Sequence, residues 1–520
     1  MNKIITEVIS KIRPLIVVVL IHILYISQNL YAYDFIAGGL YYNITSDTTV
    51  EVTTWNNKYE TPDSYIGDII IPETVEYKNT EYLVTRIGVR AFSSSDIKSL
   101  FLPESISSFG EDAFFGCTSL KSINIPEGIS EIPLYSFYLC TSLQTIKIPE
   151  NVKKIGFAAF ANCQSLTNVY LPSKVAEIGN GAFSDCSALE SITLSDENEY
   201  FSTLNGVLYS KDMTTLLQCP ANYKEKTFKL LGNVKIIAGS AFRGCTHLTE
   251  IYLSEGLESM GSSAFSGCES LTTINLPMSL KKIGSYAFYN CFSLKTIEIP
   301  PGIETLDMFL FANCSKLEEV VLSEGLQLID YQAFQNCYSI KSISLPSSLK
   351  FIDAGAFRGC KSLSKINIQE GLTGIGYSAF SECHSLPSIV LPESIEEIGY
   401  QAFDKCGLLK EIICKALNVP QIYYSFSGIS KNAILYVYNS VIEDYQKSIW
   451  SSFFKQILPI MEDVNTGIET IVVDDRLPFD IYNLNGMIVR RNAVKTDISG
   501  LNPGVYILKQ GDASQRIMIR

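Results

Sequence analysis

Hydrophobic positions recur along most of this chain with a period of 23 residues. Aligned on a recurrent cysteine, the unit reads Ala-Phe-x-x-Cys-x-x-Leu-x-x-Ile-x-Leu-Pro-x-x-Leu-x-x-Ile-Gly-x-x. Two consecutive copies carry the same apolar positions, which are Phe242, Leu248, Ile251, Leu253, Leu257 and Met260, then Phe265, Leu271, Ile274, Leu276, Leu280 and Ile283. A fixed period of this length is typical of one supersecondary unit that is copied and stacked. We therefore predict a solenoid.

Each unit predicts one strand and two corners. The Ile-x-Leu segment alternates with a period of two, so it predicts a short strand with Ile and Leu facing the core. Proline ends this strand in most copies because it lacks an N–H. At the second corner we predict a positive φ, since glycine recurs there and three aspartates replace it. These residues are Gly156, Gly179, Gly261, Gly284, Gly376, Gly399, Asp307, Asp330 and Asp353.

Cysteine and phenylalanine mark fixed positions in the unit. Phenylalanine fills one position in 13 copies, from Phe92 to Phe403. One coil cannot enclose such a side chain, so we expect neighbouring coils to bury these residues in columns, with parallel strands along one face. The structural cysteine ladder comprises Cys117, Cys140, Cys163, Cys186, Cys245, Cys268, Cys291, Cys314, Cys337, Cys360, Cys383 and Cys406.

Free thiols are favoured over disulfides. Equivalent positions on successive coils point the same way, whereas a disulfide needs two side chains turned toward each other. Cys414 takes the Leu position of its strand, so we expect it to act as a core hydrophobe. Cys219 lies outside the ladder and is predicted to be the most exposed thiol.

The motifs Leu-x-x-Ile-x-Leu-Pro and Ile-Gly-x-x-Ala-Phe-x-x-Cys resemble the BspA-like subgroup of leucine-rich repeat proteins over residues 33–460. The resemblance implies a leucine-rich repeat solenoid of α/β-type coils, about 13 in number. The step from Cys186 to Cys245 is 59 residues instead of 23. Turn signals at Asn205-Gly206 and Lys211-Asp212 predict a small β-meander at 195–233 that bulges from one coil.

The predicted domains follow from where the repeat starts and stops. Residues 86–415 carry the repeats, and 33–85 and 416–460 are predicted to cap the two ends, because an open coil exposes apolar surface and strand edges. Within the second cap, Glu443 to Phe454 predicts an amphipathic helix with Tyr445, Ile449 and Trp450 inward.

The first 32 residues have the features of a secretory signal. Lys3, Lys11 and Arg13 precede an apolar run of 13 residues, whereas about 20 are needed to cross a bilayer. This segment contains three basic residues and one acidic residue, so its removal changes the formal charge from −13 to −15. An acidic product disfavours nucleic acid and anionic membranes as partners. No other apolar stretch is long enough to span a membrane.

After a predicted linker at 461–470, residues 471–520 have a different character. Phe479 to Val489 predicts a hairpin that turns at Asn485-Gly486, and Leu501 to Leu508 and Arg516 to Arg520 predict two further strands. This segment resembles the C-terminal sorting domain of type IX secretion; the alternative is a small β-sandwich with no such role. The resemblance implies recognition at the outer membrane, removal of the tail, and a product that is surface-attached or released.

The residue types that carry catalysis are scarce or scattered. His247 and His384 are the only histidines after the signal, and they lie in turns of different coils. No Cys-x-x-Cys metal motif and no Gly-rich phosphate loop occurs. Carboxylates such as Glu298, Glu319 and Glu411 do not form an isolated pair. We therefore predict no catalytic, cofactor-binding or metal-binding residues.

The residue between Ile and Leu of each strand should point outward. This row is mixed, as expected of a protein-binding face or of a face without a ligand. The candidate ligand-face residues are Phe101, Tyr170, Tyr252, Val321 and Val390. Tyr170 and Tyr252 are candidate anchors, because aromatic residues are enriched at binding hot spots.

Three functional hypotheses remain. The resemblance implies an exported, non-catalytic surface protein that binds host matrix or other cells, with a protein ligand and the secretion machinery as partners. The alternative is a structural or assembly component of the cell envelope. A secreted hydrolase is the remote third.

Overall fold

The computed structural model describes residues 33–54, 65–460, 478–483, 488–494, 504–510 and 513–519. The chain divides into two compact units between Leu458 and Pro459. The predicted signal at 1–32 and linker at 461–470 lie outside the described residues.

In most coils the Ile-x-Leu segment forms a short parallel strand along a first face of the solenoid, although the segment at 145–148 is not a regular strand. The register of these strands advances by one repeat, so that Val169 pairs with Ile192 and Ile389 with Ile412. The prediction of stacked coils with a parallel strand face is confirmed. The strands are Ile66–Ile70, Asp96–Phe101, Ser122–Ile123, Asn168–Leu171, Ser191–Leu194, Thr227–Lys229, Glu250–Tyr252, Thr273–Asn275, Thr296–Ile299, Glu319–Leu322, Ser342–Ser344, Lys365–Asn367, Ser388–Leu391, Glu411–Cys414 and Ile434–Val437.

A second face carries two-residue strands just before the glycine corner. These also pair in parallel with a one-repeat offset, as Ile329 does with Ile352. They are Ser108–Phe109, Glu131–Ile132, Lys154–Ile155, Glu177–Ile178, Ile236–Ile237, Ser259–Met260, Lys282–Ile283, Thr305–Leu306, Leu328–Ile329, Phe351–Ile352, Gly374–Ile375, Glu397–Ile398 and Gln421–Ile422.

The expectation of α/β-type coils is wrong, because the third side of each coil is built from turns. Two positive-φ positions interrupt this segment in most coils, for example at Tyr286 (φ 61°) and Asn290 (φ 60°). Its backbone bonds run to the next coil instead of along a helix: the N–H of Phe288 donates to the carbonyl of Leu310 (2.9 Å). Neighbouring coils are therefore connected by a turn ladder and by strand ladders on two faces, and the strand ladders are interrupted at some boundaries.

The recurrence of glycine at the second corner has a different cause from the predicted positive φ. None of the six has a positive φ, and neither do the three aspartates. A Cβ built on Gly261 would lie 2.4 Å from the backbone nitrogen of Gly239 in the preceding coil, and the other five are as crowded, at 2.4 to 2.7 Å. Close approach of consecutive backbones, not φ, favours glycine there.

Phenylalanine and cysteine form the predicted columns in the core. Neighbouring phenylalanine rings in the column lie 4.9–5.8 Å apart, and those of Phe288 and Phe311 are 5.3 Å apart and almost parallel. The column extends one coil beyond the predicted range, to Phe426. Each ladder thiol from Cys140 to Cys406, except Cys245, donates to the carbonyl of the phenylalanine 26 residues earlier, as Cys314 does to Phe288 (3.1 Å).

Residues 195–233 contain a meander, but it does not lie outside the coils as predicted. Its antiparallel strands are Phe201–Leu204, Val207–Ser210 and Thr215–Gln218. Asn205 and Gly206 both have positive φ, as a type I′ hairpin turn requires. The third strand pairs in parallel with Ile236–Ile237 and so continues the second face.

The middle strand of the meander crosses the core. Val207 and Tyr209 pack with the core of the later coils, and Leu208 packs with the core of the earlier coils. All three are at most 2% exposed. An uninterrupted apolar run is typical of a strand buried on both faces. Cys219 is also fully buried, so its predicted exposure is wrong.

Both ends of the coil stack are covered. At the first end, Phe35–Ala37, Leu40–Ile44, Thr49–Thr53, Thr80–Ile87 and Thr74–Tyr77 form a sheet in that order, which Ser108–Phe109 joins by pairing with Thr80–Ile87. At the other end lie the 3₁₀ helices Asn439–Val441 and Ile449–Ser452, the α-helix Ile442–Lys447 and the strand Gln456–Pro459.

The second end does not contain the single predicted helix. The chain leaves helical geometry at Ser448 (φ −89°, ψ 172°), whose hydroxyl accepts from the N–H of Trp450. Tyr445 and Trp450 are buried as predicted, but Ile449 is 53% exposed. The break at Ser448 rotates the following turn, and this places Trp450 inward in place of Ile449.

In the second unit, four strands form an antiparallel sheet: Ile488–Ala493, Phe479–Asn483, Gly504–Gln510 and Ala513–Ile519, in that order. The predicted turn at Asn485-Gly486 lies outside the described residues. The sorting role of this unit stays a prediction.

We expect Gly261→Ala to lower the free energy of unfolding by about 1–3 kcal/mol, because the added Cβ must push two backbones apart. The matched control is Gly232→Ala, where a Cβ meets nothing within 4 Å; it should be neutral or stabilising by up to about 1 kcal/mol. Urea unfolding followed by circular dichroism measures both. Equal effects would contradict the close-approach explanation.

Candidate binding face

The outward position of the first strand face is solvent-accessible where the sequence predicts it. The side chains of Phe101, Tyr170, Tyr252, Val321 and Val390 are 39–56% exposed. Their strand neighbours Ile and Leu point into the core, as the period-two pattern requires. The five residues lie on one face of the first unit but on separate coils.

The structure does not bring these five residues together into one patch. Tyr170 pairs with Thr193, and Tyr252 lies between Lys229 and Asn275. Val321 pairs with Glu298. Phe101 pairs with Ile70, which is also exposed. Elsewhere the face is a mixed surface for most of its length, where single apolar side chains alternate with polar ones.

Three consecutive coils of this face carry apolar or aromatic residues at the outward position. Val390 pairs with Ile413, which pairs with Tyr436 in the next coil. Strands lie about 4.8 Å apart, so these three side chains form a short row near the second end of the coil stack. Tyr436 lies beyond the repeats in the predicted cap, which is why the repeat alignment did not include it.

Two outward asparagines have a structural role. The Nδ2 of Asn124 donates to the carbonyl of Leu102 (2.7 Å), and its Oδ1 accepts from the N–H of that residue (2.8 Å). Asn275 makes the same two bonds to Leu253, both at 3.0 Å. These amides satisfy the backbone of the preceding coil, so they are not free to bind a ligand.

A second exposed aromatic row follows the corner position and was missed from the sequence. Tyr377 and Tyr400 stack with ring centroids 5.9 Å apart, and Tyr400 meets Tyr424 edge to face at 6.0 Å. All three are 45–64% exposed. The sequence signal for this row is tyrosine recurring beside the Ile-Gly corner, whereas the period-two pattern of the strand concerns only the outward strand position.

The acidic side chains of the turn after the first strand are engaged with the neighbouring coil. Glu324 accepts from the backbone N–H groups of Ser347 and Ser348 (3.0 and 3.1 Å), and these bonds lower the pKa of its carboxyl. Glu370 accepts from the N–H of Glu393 (2.9 Å). Such carboxylates connect coils and leave few free acceptors for a ligand.

Side chains that could carry chemistry are dispersed. His247 and His384 are both exposed, in turns of different coils. Within the described ranges, no group of three His, Cys, Asp or Glu side chains could hold a metal ion. No helix of the described chain is long and apolar enough to cross a membrane.

The thiols are shielded from reaction. All 14 cysteines are free and at most 1% exposed. Burial raises the pKa of Cys117, Cys360 and Cys406 to about 12, and that of Cys140 well above its ordinary value. Because the thiolate is the nucleophile, such groups are inert at neutral pH.

Comparison with known proteins identifies the repeat. The family described as "BspA type Leucine rich repeat region (6 copies)" matches residues 85–204, 221–341 and 327–457. The fold is also similar to that of a leucine-rich repeat protein from Eubacterium ventriosum ATCC 27560, with 26% identity, a TM-score of 0.56, and coverage of 67% of this chain and 94% of that one.

Two further solved structures share sequence with the chain. A leucine-rich repeat protein from Bacteroides ovatus ATCC 8483 is 31% identical, over 70% of this chain and 95% of that one, with a TM-score of 0.39. A leucine rich cell surface protein from Faecalibacterium prausnitzii A2-165 is 23% identical, over 69% and 94%, with a TM-score of 0.39. No curated protein matched the chain.

We expect the thiols of the folded protein not to react with a chromogenic disulfide reagent at pH 8. The thiols are buried, and those with a raised pKa stay protonated. In urea without reductant, the same sample should release 14 thiol equivalents per chain. The matched control is an exposed substitution, Thr246→Cys, which should add one fast-reacting thiol. Twelve or fewer equivalents in urea would show that disulfides form.

Proposed function

We propose that this chain, which belongs to the BspA type leucine-rich repeat family, is a non-catalytic cell-surface protein that binds protein partners through its first strand face. The observation that carries the proposal is the partly exposed apolar row of Val390, Ile413 and Tyr436 on an otherwise mixed face. Exposed apolar and aromatic groups with a polar surround are typical of protein-binding surfaces. Adhesion to host matrix or to other cells is the form of binding that the family resemblance favours.

Tyr170 and Tyr252 are the proposed anchors on the earlier part of the face. Each is about half exposed and lies within a polar surround, so a partner could bury the ring while the hydroxyl keeps a hydrogen bond. The Tyr252 hydroxyl already donates to Oε2 of Glu250 (3.0 Å), which orients the ring on the face. The row of Tyr377, Tyr400 and Tyr424 offers a second aromatic surface near the same end as the apolar row.

The proposal of a non-enzymatic role rests on the dispersal of the side chains that could carry chemistry. The two histidines lie in different coils, and the thiols are buried in the core. A nucleophile and its base need to lie within hydrogen-bond reach. A hydrolase screen of the purified protein tests the remote alternative.

Export and surface location are part of the proposal. They rest on the signal-like segment at 1–32, on the family, and on the resemblance of 471–520 to a type IX secretion sorting domain. In this account the secretion machinery recognises the tail and removes it, and the product is attached to the surface or released.

Binding tests the proposed face. The purified chain from residue 33 should bind at least one immobilised matrix protein or cell type saturably, and Tyr252→Ala should weaken that binding roughly tenfold, the effect of a loss of about 1.4 kcal/mol at a hot spot. The control His247→Ala changes an exposed turn and should leave affinity unchanged. No saturable binding to any host material, with capture from envelope extract instead, would favour the structural alternative.

Intact mass tests the processing. Protein recovered from the cell surface should lack residues 1–32 and the tail from about residue 471, and any excess mass would reveal an added anchor. A mass equal to that of the full 520-residue chain would contradict both cleavages.

A further inference from the structure

Both strand ladders are interrupted between the same two coils. On the first face, Thr273–Asn275 pairs back to Glu250–Tyr252, and Thr296–Ile299 pairs forward to Glu319–Leu322. These two middle strands, all of whose residues are described, do not pair with each other. The backbone bond from the N–H of Lys295 to the carbonyl of Thr272 (3.2 Å) is what joins the coils on this side.

The second face is interrupted at the same boundary. Lys282–Ile283 ends one six-stranded sheet, and Thr305–Leu306 begins the next. In the flanking coils, the N–H of Gly284 donates to Met260 and that of Asp330 to Leu306, both at 2.9 Å. Asp307 and Ile283 are both described residues. The equivalent bond, from the N–H of Asp307 to the carbonyl of Ile283, is not among the described backbone hydrogen bonds.

The turn ladder is intact across this boundary. The N–H groups of Tyr286, Phe288 and Asn290 donate to the following coil at 2.9–3.0 Å. The rings of Phe288 and Phe311 stay stacked, and the Cys314 thiol reaches the Phe288 carbonyl. The turn ladder therefore holds these coils together, whereas the first face keeps a single backbone bond and the second face has none among those described. That arrangement has the geometry of a hinge whose pivot is the turn side.

Other interruptions affect one face only. The first-face strands Glu319–Leu322 and Ser342–Ser344 do not pair. On the second face of the same two coils, however, Ile329 pairs with Ile352. Among the described coils, the boundary between Ile283 and Thr305 thus lacks both strand ladders, as does the boundary that contains the inserted meander.

The two coils at the boundary differ in the side chain at the corner. Gly284 lets the backbone of its coil approach the preceding one closely, but the next coil has Asp307. An open depression of about 410 Å³ lies there, lined by Lys282, Ile283, Gly302, Thr305 and Asp307 among others. Burial raises the pKa of Asp307, and nearby Lys282 opposes that shift.

The next two aspartates show why Asp307 differs. Oδ1 of Asp330 accepts from the N–H of Tyr331, and Oδ1 of Asp353 accepts from that of Ala354, both at 2.6 Å. Their coils keep the second-face ladder. Asp307 makes no such local bond among those described. Its coil follows one that has glycine at the corner and precedes one that has aspartate there.

We propose that the boundary between Ile283 and Thr305 is a flexure point, at which the earlier and later coils swing against each other about the turn side. The motion would change the distance between Tyr252 and Val321, which lie on opposite sides of the boundary on the first face. The flexure does not depend on the proposed binding function, since it follows from the ladders alone.

Distance distributions between paired spin labels test the proposal in the full chain. Exposed cysteines are introduced as Glu258→Cys with Gln327→Cys, three coil steps that cross the boundary. Gln327→Cys with Glu396→Cys is the matched pair, three steps along an unbroken ladder. The buried native thiols should not take up the label.

We expect the pair that crosses the boundary to give a distribution at least twice as wide as the matched pair. Asp307→Gly should narrow it toward the matched pair, because glycine permits the close approach seen at Gly284. Asp330→Gly, within the continuous ladder, should leave it unchanged. Equal widths in the unsubstituted background, or no response to Asp307→Gly, would overturn the proposal.

Discussion

The fold depends on contact between equivalent side chains of neighbouring coils. A single coil has no interior of its own, and the next coil closes it by stacking a phenylalanine ring on the preceding ring. Phe334 and Phe357 show the contact, with centroids 5.2 Å apart and planes within 8°. The cysteine beside each ring suits this packing, since a thiol is a small hydrophobe that can still donate a weak hydrogen bond to the buried carbonyl below it.

The backbone connections follow from this packing. Columns that keep their spacing hold consecutive backbones close enough for three ladders, and glycine at the corner permits the closest approach. The three ladders are not equally continuous: the turn ladder persists at Phe288 where both strand ladders stop. At this boundary the solenoid therefore combines an uninterrupted core with a local weakness on its faces, and a binding face that crosses the boundary shares its freedom of movement.

Much of this organisation could be predicted from the sequence, because a repeat period sets the register of every coil at once. The Phe and Cys columns, the strand face and the exposure of residues such as Tyr252 all follow from it. The errors arose where the decisive contact lies between coils or breaks the period. The backbone that crowds Gly261 belongs to another coil, and the burial of Cys219 depends on a meander that crosses the core. Ile449 is exposed because Ser448 interrupts a helix that the apolar pattern made continuous.

A double-mutant cycle on the phenylalanine column tests the central claim most directly. Phe311→Leu and Phe334→Leu change neighbouring rings, whereas Phe137→Leu and Phe403→Leu change distant ones. Urea unfolding should give a coupling energy of about 0.5–1.5 kcal/mol for the neighbours and additivity within about 0.5 kcal/mol for the distant pair. Additive effects in the neighbouring pair would contradict the account, because each coil would then be stable without the ring that closes it.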